Sequence, residues 1–217
     1  MIVDLNLKGN LVIVVGGGAE GLKKINSLLT QDCRILVISD KINPQLSHYI
    51  KKNKIEFKKV KLKNASFLGN YKPFLVMATT DNKELNRKIV QKAKKMKCYV
   101  YASDDPEVSD FSHPSVINIQ DAVQIAISTK GRSPVMSRKI KNQAEKVFKK
   151  IIKKEDIYQI KLQQIVRNAA KKNIPTQNER KKFLYSVLKD SKIKQLIKDE
   201  KLKKAQDRAM MMLKEWD

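Results

Sequence analysis

The residues best equipped for chemistry in this 217-residue chain lie in short polar stretches, most of which follow an apolar run. Gly16-Gly17-Gly18-Ala19-Glu20-Gly21 fits G-x-G-x-x-G between an apolar run and a helical pattern, the context in which the motif binds a dinucleotide. Gly16, Gly18 and Gly21 would permit the tight turn, the approach of backbone N–H groups to a pyrophosphate, and the close packing of the helix. The bland alternative is a tight strand-to-helix turn with no ligand. Asp40 lies 24 positions after Gly16, where an acidic side chain would hold ribose hydroxyls. Glu20 is a warning, because a carboxylate beside a diphosphate repels it unless it turns away. Thr79 and Thr80 follow a fourth apolar run and could hydrogen-bond the cofactor, while Thr80 or Asp81 could equally cap the next helix. Asp104 and Asp105 follow a fifth run; either could be a general acid/base or a metal ligand, or both could be turn formers before Pro106. Lys130 and Arg132 precede a helix start at Ser133-Pro134 and would suit a carboxylate or phosphate. His48 and His113 are the only histidines, and a lone histidine is more often structural than catalytic.

The elements that must position these groups alternate. Continuous apolar runs at 11–15, 34–38, 74–78 and 98–102, with a shorter strand at 55–60, suit strands buried on both faces of a parallel sheet. Between them lie helical patterns: Leu22, Ile25, Leu28 and Leu29; then 45–51; then 82–97 with Leu85, Ile89, Val90 and Ala93 on one face. Strand–helix alternation predicts a Rossmann-type doubly wound α/β sheet. Two further strands, 116–119 and 122–128, leave no room for a helix between them and predict a hairpin. From Ser133 onward there is no glycine, and helices are expected at about 134–153, 155–172, 177–189 and 191–215, with Thr176 and Glu179 at capping-box spacing.

The net charge of +24 favours anionic partners: nucleic acid, anionic lipid or a polycarboxylate. From Ser133 to Asp217 there are 24 Lys and Arg against 10 Asp and Glu, a surplus of 14. No apolar run approaches the ~20 residues of a membrane span, and the first ten residues do not read as a signal peptide. Two cysteines, Cys33 and Cys98, suggest neither a disulfide framework nor a zinc site. No metal and a cytoplasmic location are expected.

Taken together, four motifs resemble the precorrin-2 dehydrogenases, the siroheme synthase N-terminal family, over roughly residues 1–150. They are Gly16-Gly17-Gly18 after a strand; Ala78-Thr79-Thr80-Asp81; Ser103-Asp104-Asp105-Pro106 with Phe111 and Pro114-Ser115; and Ile125 to Val135, containing Ser128 and Ser133-Pro134. The resemblance implies oxidation of precorrin-2 to sirohydrochlorin with NAD, and in some members insertion of Fe2+ to give siroheme. It implies that Asp104 is the acid/base residue and that Ser128 lies at the tetrapyrrole site, with Lys130 and Arg132 beside it. Ala19, Glu20, Asp40 and Lys41 match dinucleotide-contacting positions. It further implies a homodimer, with a domain plan of 1–113 for NAD(P), 114–150 for dimerisation, and 151–217 as a basic helical module. The chain departs from the pattern at Glu20-Gly21, Tyr101 and Lys130, and nothing in 151–217 aligns. A non-catalytic NAD-sensing module would share the glycine turn and Asp40 but would not need Asp104 or the loop from Ser128 to Pro134. Nucleic-acid binding by the basic tail lacks a reading motif.

Overall fold

The computed structural model describes residues 2–216 and divides between His113 and Pro114 into two compact units. The first holds one parallel sheet, in the order β3-β2-β1-β4-β5, built from β1 (Leu11–Gly17), β2 (Arg34–Ile42), β3 (Glu56–Lys59), β4 (Leu75–Ala78) and β5 (Tyr99–Ala102). The chain winds outward from β1 to β3 and then restarts at β4 on the other side of β1. The switch point lies between β1 and β4, the place at the strand carboxyl ends where doubly wound sheets take their ligands. The apolar runs are continuous because both faces are covered. Ile13, Val15, Val76, Ala78 and Val100 pack with Leu85, Ile89 and Ala93 of α3 (Lys83–Lys95). Val12, Val14, Val37, Leu75 and Met77 face the other way, onto Ile25 and Leu28 of α1 (Ala19–Leu28) and Leu46 of α2 (Pro44–Lys51).

Three details depart from the pattern read in the sequence. β2 continues past Asp40 to Ile42, because the register shifts between Val15 and Gly17 and Gly17 pairs with Ile42. A 3-10 turn, Ser66–Asn70, occupies the connection before β4. Neither Thr80 nor Asp81 caps α3: Asn82 does, its Oδ1 accepting from Leu85 N–H at 3.0 Å. The segment after β5 folds back along that strand's free edge. There Val100 N–H donates to Asp110 Oδ2 at 2.8 Å and Ala102 N–H to Ser109 Oγ at 2.9 Å. An edge that would otherwise expose its donors is thereby closed.

The second unit begins with the expected hairpin, β6 (Ser115–Ile119) and β7 (Val123–Ile127). Its turn, closed by Ala122 N–H on Ile119 O, has Gln120 and Asp121 both at positive φ, as a type I′ turn requires, and leaves Ala122 as an extra residue before the paired Val123. Helices α4 (Pro134–Ile151), α5 (Lys154–Asn173) and α6 (Gln177–Lys189) follow; Ser133 caps α4 and Thr176 caps α6. The single long helix expected at 191–215 is two: α7 (Ser191–Lys198) and α8 (Leu202–Lys214). Between them Lys201 N–H reaches Leu196 O and Glu200 N–H reaches Ile197 O, a Schellman termination. The left-handed position is filled by Glu200 rather than glycine, so no sequence signal marked the stop. Phe183, Val166, Ile193 and Ala209 are fully buried where α5–α8 meet. No helix among the described residues is long and apolar enough to cross a membrane.

Candidate functional site

The glycines of the turn divide into two kinds. Gly16 has φ +112°, and a Cβ there would lie 2.6 Å from the Thr79 carbonyl oxygen. A Cβ on Gly21 would lie 2.0 Å from Gly16 O, so α1 packs directly on the turn. Gly17, which the motif leaves free, is equally constrained: its Cβ would sit 2.6 Å from Lys41 O. Gly18 alone has nothing within 4 Å of that position. It is also the N-cap of α1 and supplies no side-chain cap. The first-turn N–H groups and the positive end of the helix dipole therefore border open space, which suits a phosphate. That space is what a side chain at residue 18 would fill.

Around this cradle, Ala19 is exposed and Glu20 turns to Lys23, with Oε1 and Nζ 2.5 Å apart, which offsets its charge. Asp40 and Lys41 lie on the exposed end of β2, and Asp40 accepts no hydrogen bond from another described residue. The two threonines turn inward instead. Thr79 is buried and its hydroxyl bonds Val15 O (3.0 Å) and Gly16 O (3.2 Å), fixing β4 against the glycine turn. The Thr80 hydroxyl lies 2.7 Å from Asn86 Oδ1. What they could still offer a cofactor is backbone and surface, not a free hydroxyl.

Asp104 lies just beyond β5, exposed, with Oδ1 accepting from Asn86 Nδ2 at 2.8 Å. Asp105 does the turn work: its Oδ1 accepts from Glu107 N–H at 3.1 Å and caps the 3-10 turn Pro106–Val108. The first unit thus brings the glycine turn, Thr79, Thr80 and Asp104 to the carboxyl ends of β1, β4 and β5. Asn86 escaped the sequence reading, although a polar residue among Leu85, Ile89 and Val90 on the buried face of α3 was the available signal.

A second cluster lies at Tyr101, where Lys24 Nζ sits 4.3 Å from the ring centroid and the His113 ring meets it edge-on at 4.7 Å. Burial lowers the Lys24 ammonium from its ordinary value, and burial followed by the charge of Lys24 lowers His113 to about 4. The imidazole is neutral at physiological pH and serves here as an aromatic contact.

Ser128, Lys130 and Arg132 belong to the second unit, on the loop between β7 and α4. Lys130 and Gly131 both have positive φ. Ser128 Oγ accepts from Lys130 N–H at 3.1 Å and keeps its own hydrogen to donate. Lys130 and Arg132 are exposed and pair with no carboxylate among the described residues.

The model of a family described as putative NAD(P)-binding matches residues 3–115. The chain is 32% identical over 145 residues to siroheme synthase of Neisseria meningitidis serogroup C, a match spanning 64% of this chain and 28% of that protein. It is 30% identical over 148 residues to siroheme synthase of Mannheimia succiniciproducens, spanning 66% and 29%. The chain therefore matches under a third of the length of these relatives. Among solved structures it is similar to SirC, precorrin-2 dehydrogenase, with a TM-score of 0.67 at 19% identity, covering 96% of this chain and 99% of that one. That likeness extends the shared fold beyond the sheet to the hairpin and the helices. The chain belongs to the family described as putative NAD(P)-binding.

Proposed function

We propose that the chain is an NAD-dependent precorrin-2 dehydrogenase that produces sirohydrochlorin. The observation that carries this reading is the pairing of an open phosphate cradle at Gly18, after β1, with a carboxylate, Asp104, held beyond β5 at the same edge of the sheet. Loss of two hydrogens requires one acceptor for a hydride and another for a proton. Bound NAD supplies the first; the protein orients it. Asp104 takes the proton at Oδ2, the oxygen that Asn86 leaves free. Gly18 and Ala19 hold the pyrophosphate, Gly16 and Gly21 let α1 pack on the turn, Asp40 and Lys41 take the ribose side, and Thr79 and Thr80 fix the floor beneath. Ser128 donates to a substrate carboxylate, while Lys130 and Arg132 provide its counter-charge. A chain of net charge +24 draws such a polyanion by long-range steering.

The reading includes a homodimer formed through residues 114–150 and a cytoplasmic location. For the dimer, the support is α4. Met136, Ile140, Val147 and Ile151 share one helix face and are all exposed, and Val135 beside them is 78% exposed. Such a stripe is expected to meet a partner. Nothing favours the regulatory alternative. The test is to mix purified protein with precorrin-2 and NAD+ and follow absorbance. Sirohydrochlorin and NADH formed in equal amounts would support the reading; no conversion by folded protein that binds NAD+ would overturn it.

A further inference from the structure

Asn86 is 1% exposed, one of three buried polar side chains among the described residues. Every hydrogen-bonding position of its amide is used. Oδ1 accepts from Thr80 N–H at 3.3 Å and faces the Thr80 hydroxyl at 2.7 Å. Nδ2 donates to Thr80 O at 2.9 Å and to Asp104 Oδ1 at 2.8 Å. The backbone contacts fix the orientation of the amide: Thr80 N–H can only donate and Thr80 O can only accept, so the NH2 group must face Asp104. A buried amide with all four positions filled is rigid, and leaving one unfilled would be costly.

We infer that Asn86 is a positioning residue for Asp104. The inference rests on the reading of Asp104 as the base and deepens it. Asp104 is exposed on a loop, where an unsupported carboxylate would rotate among rotamers. The Asn86 amide anchors Oδ1 from the protein side and leaves Oδ2, which no other described residue engages, to meet the substrate. An amide also suits the task chemically. It donates a hydrogen bond but does not take up the proton, so it orients the base without competing with it. Because the same amide grips the backbone on both sides of Thr80, the ends of β4 and β5 are held in one fixed relation. The acid/base group is thereby set relative to the cofactor-side strand rather than to its own loop.

The test is a double-mutant cycle in the full chain, read in precorrin-2 turnover. Asn86→Ala should lower kcat about 10- to 100-fold, as misplacement of a reacting group does, with NAD+ affinity and KM changed less than about threefold. In an Asp104→Ala background the same substitution should cost little more. Equal losses in both backgrounds would mean a merely structural role, and an unchanged kcat beside a crippled Asp104→Ala protein would remove the positioning role alone. Near-normal turnover in Asp104→Ala would instead remove the base assignment itself. Should Asn86→Ala not fold, asparagine-labelled protein still decides. One side-chain amide must shift with pH as the neighbouring carboxylate takes a proton, and that response must vanish in Asp104→Ala. No such amide would overturn the inference.

Discussion

The two units use buried polar groups for different ends. In the first, Thr79 and Asn86 are buried at the end of β4, and their bonds run to the glycine turn on one side and to Asp104 on the other. In the second, buried Ser137 ties α4 to the hairpin through Ser115 Oγ at 2.9 Å and Ile127 O at 3.1 Å, and the half-buried pair of Asp190 with Arg208, at 2.8 and 2.6 Å, joins helices. Asp190 also caps α7 through Ile193 N–H at 2.7 Å. One unit uses its polar contacts to hold a surface carboxylate; the other uses them to tie its own elements together. Substitutions in the first should therefore divide into those that break packing and those that break chemistry, whereas the second should show only stability effects away from its loop.

The largest effect belongs to Gly21. Gly21→Ala forces a Cβ against Gly16 O and should destabilise the first unit by more than about 3 kcal/mol, seen as loss of its melting transition. Wild-type melting would contradict the direct packing of α1 on the turn. Asp104→Ala should come next, lowering turnover ~10²–10⁴-fold while the protein still folds and binds NAD+, with melting lowered only by the Asn86 N–H it leaves unpaired. Asp105→Ala should do much less, since Asp105 caps a turn. Equal losses in the two variants would erase the distinction drawn between them.

Smaller changes are expected in the helical unit. Asp190→Ala removes a cap and leaves Arg208 unpaired, which should cost about 2 kcal/mol by denaturant melting, with turnover unaffected. The Arg208 guanidinium holds Asp190 below the usual carboxylate range. A carboxyl lowered in the folded state contributes stability above its ordinary value, and that stability is lost as pH falls through the lowered one. The variant should therefore lie closest to wild type in strong acid; a gap that widens there would have the wrong sign. Smallest of all, Glu200→Gly relieves a left-handed residue but gives up the exposed ion pair with Lys154, and should stabilise the unit by no more than about 0.5 kcal/mol. A lower melting temperature would show that the Lys154 pair outweighs the backbone strain.

The sheet was legible because burial on both faces writes itself as continuous apolar runs, and the glycine turn because a Cβ is excluded there. What stayed hidden was nonlocal or lacked its usual marker. Asn86 meets Asp104 only across 18 positions of chain, and Glu200 ends a helix where glycine normally would. The threonines show the opposite limit. Thr79 and Thr80 were correctly placed at a strand end, but which way a hydroxyl points is set by packing with β1 and α3, not by the local sequence.

The most direct test of the account is calorimetric titration of NAD+ into the wild-type protein and Gly18→Asp. Gly18 is the one glycine of the turn whose Cβ position opens to free space. An aspartate there should leave melting nearly unchanged while placing a negative charge where the pyrophosphate would sit. Wild type should bind NAD+ saturably and the folded variant not at all. Equal affinity for both would place the cofactor elsewhere and contradict it.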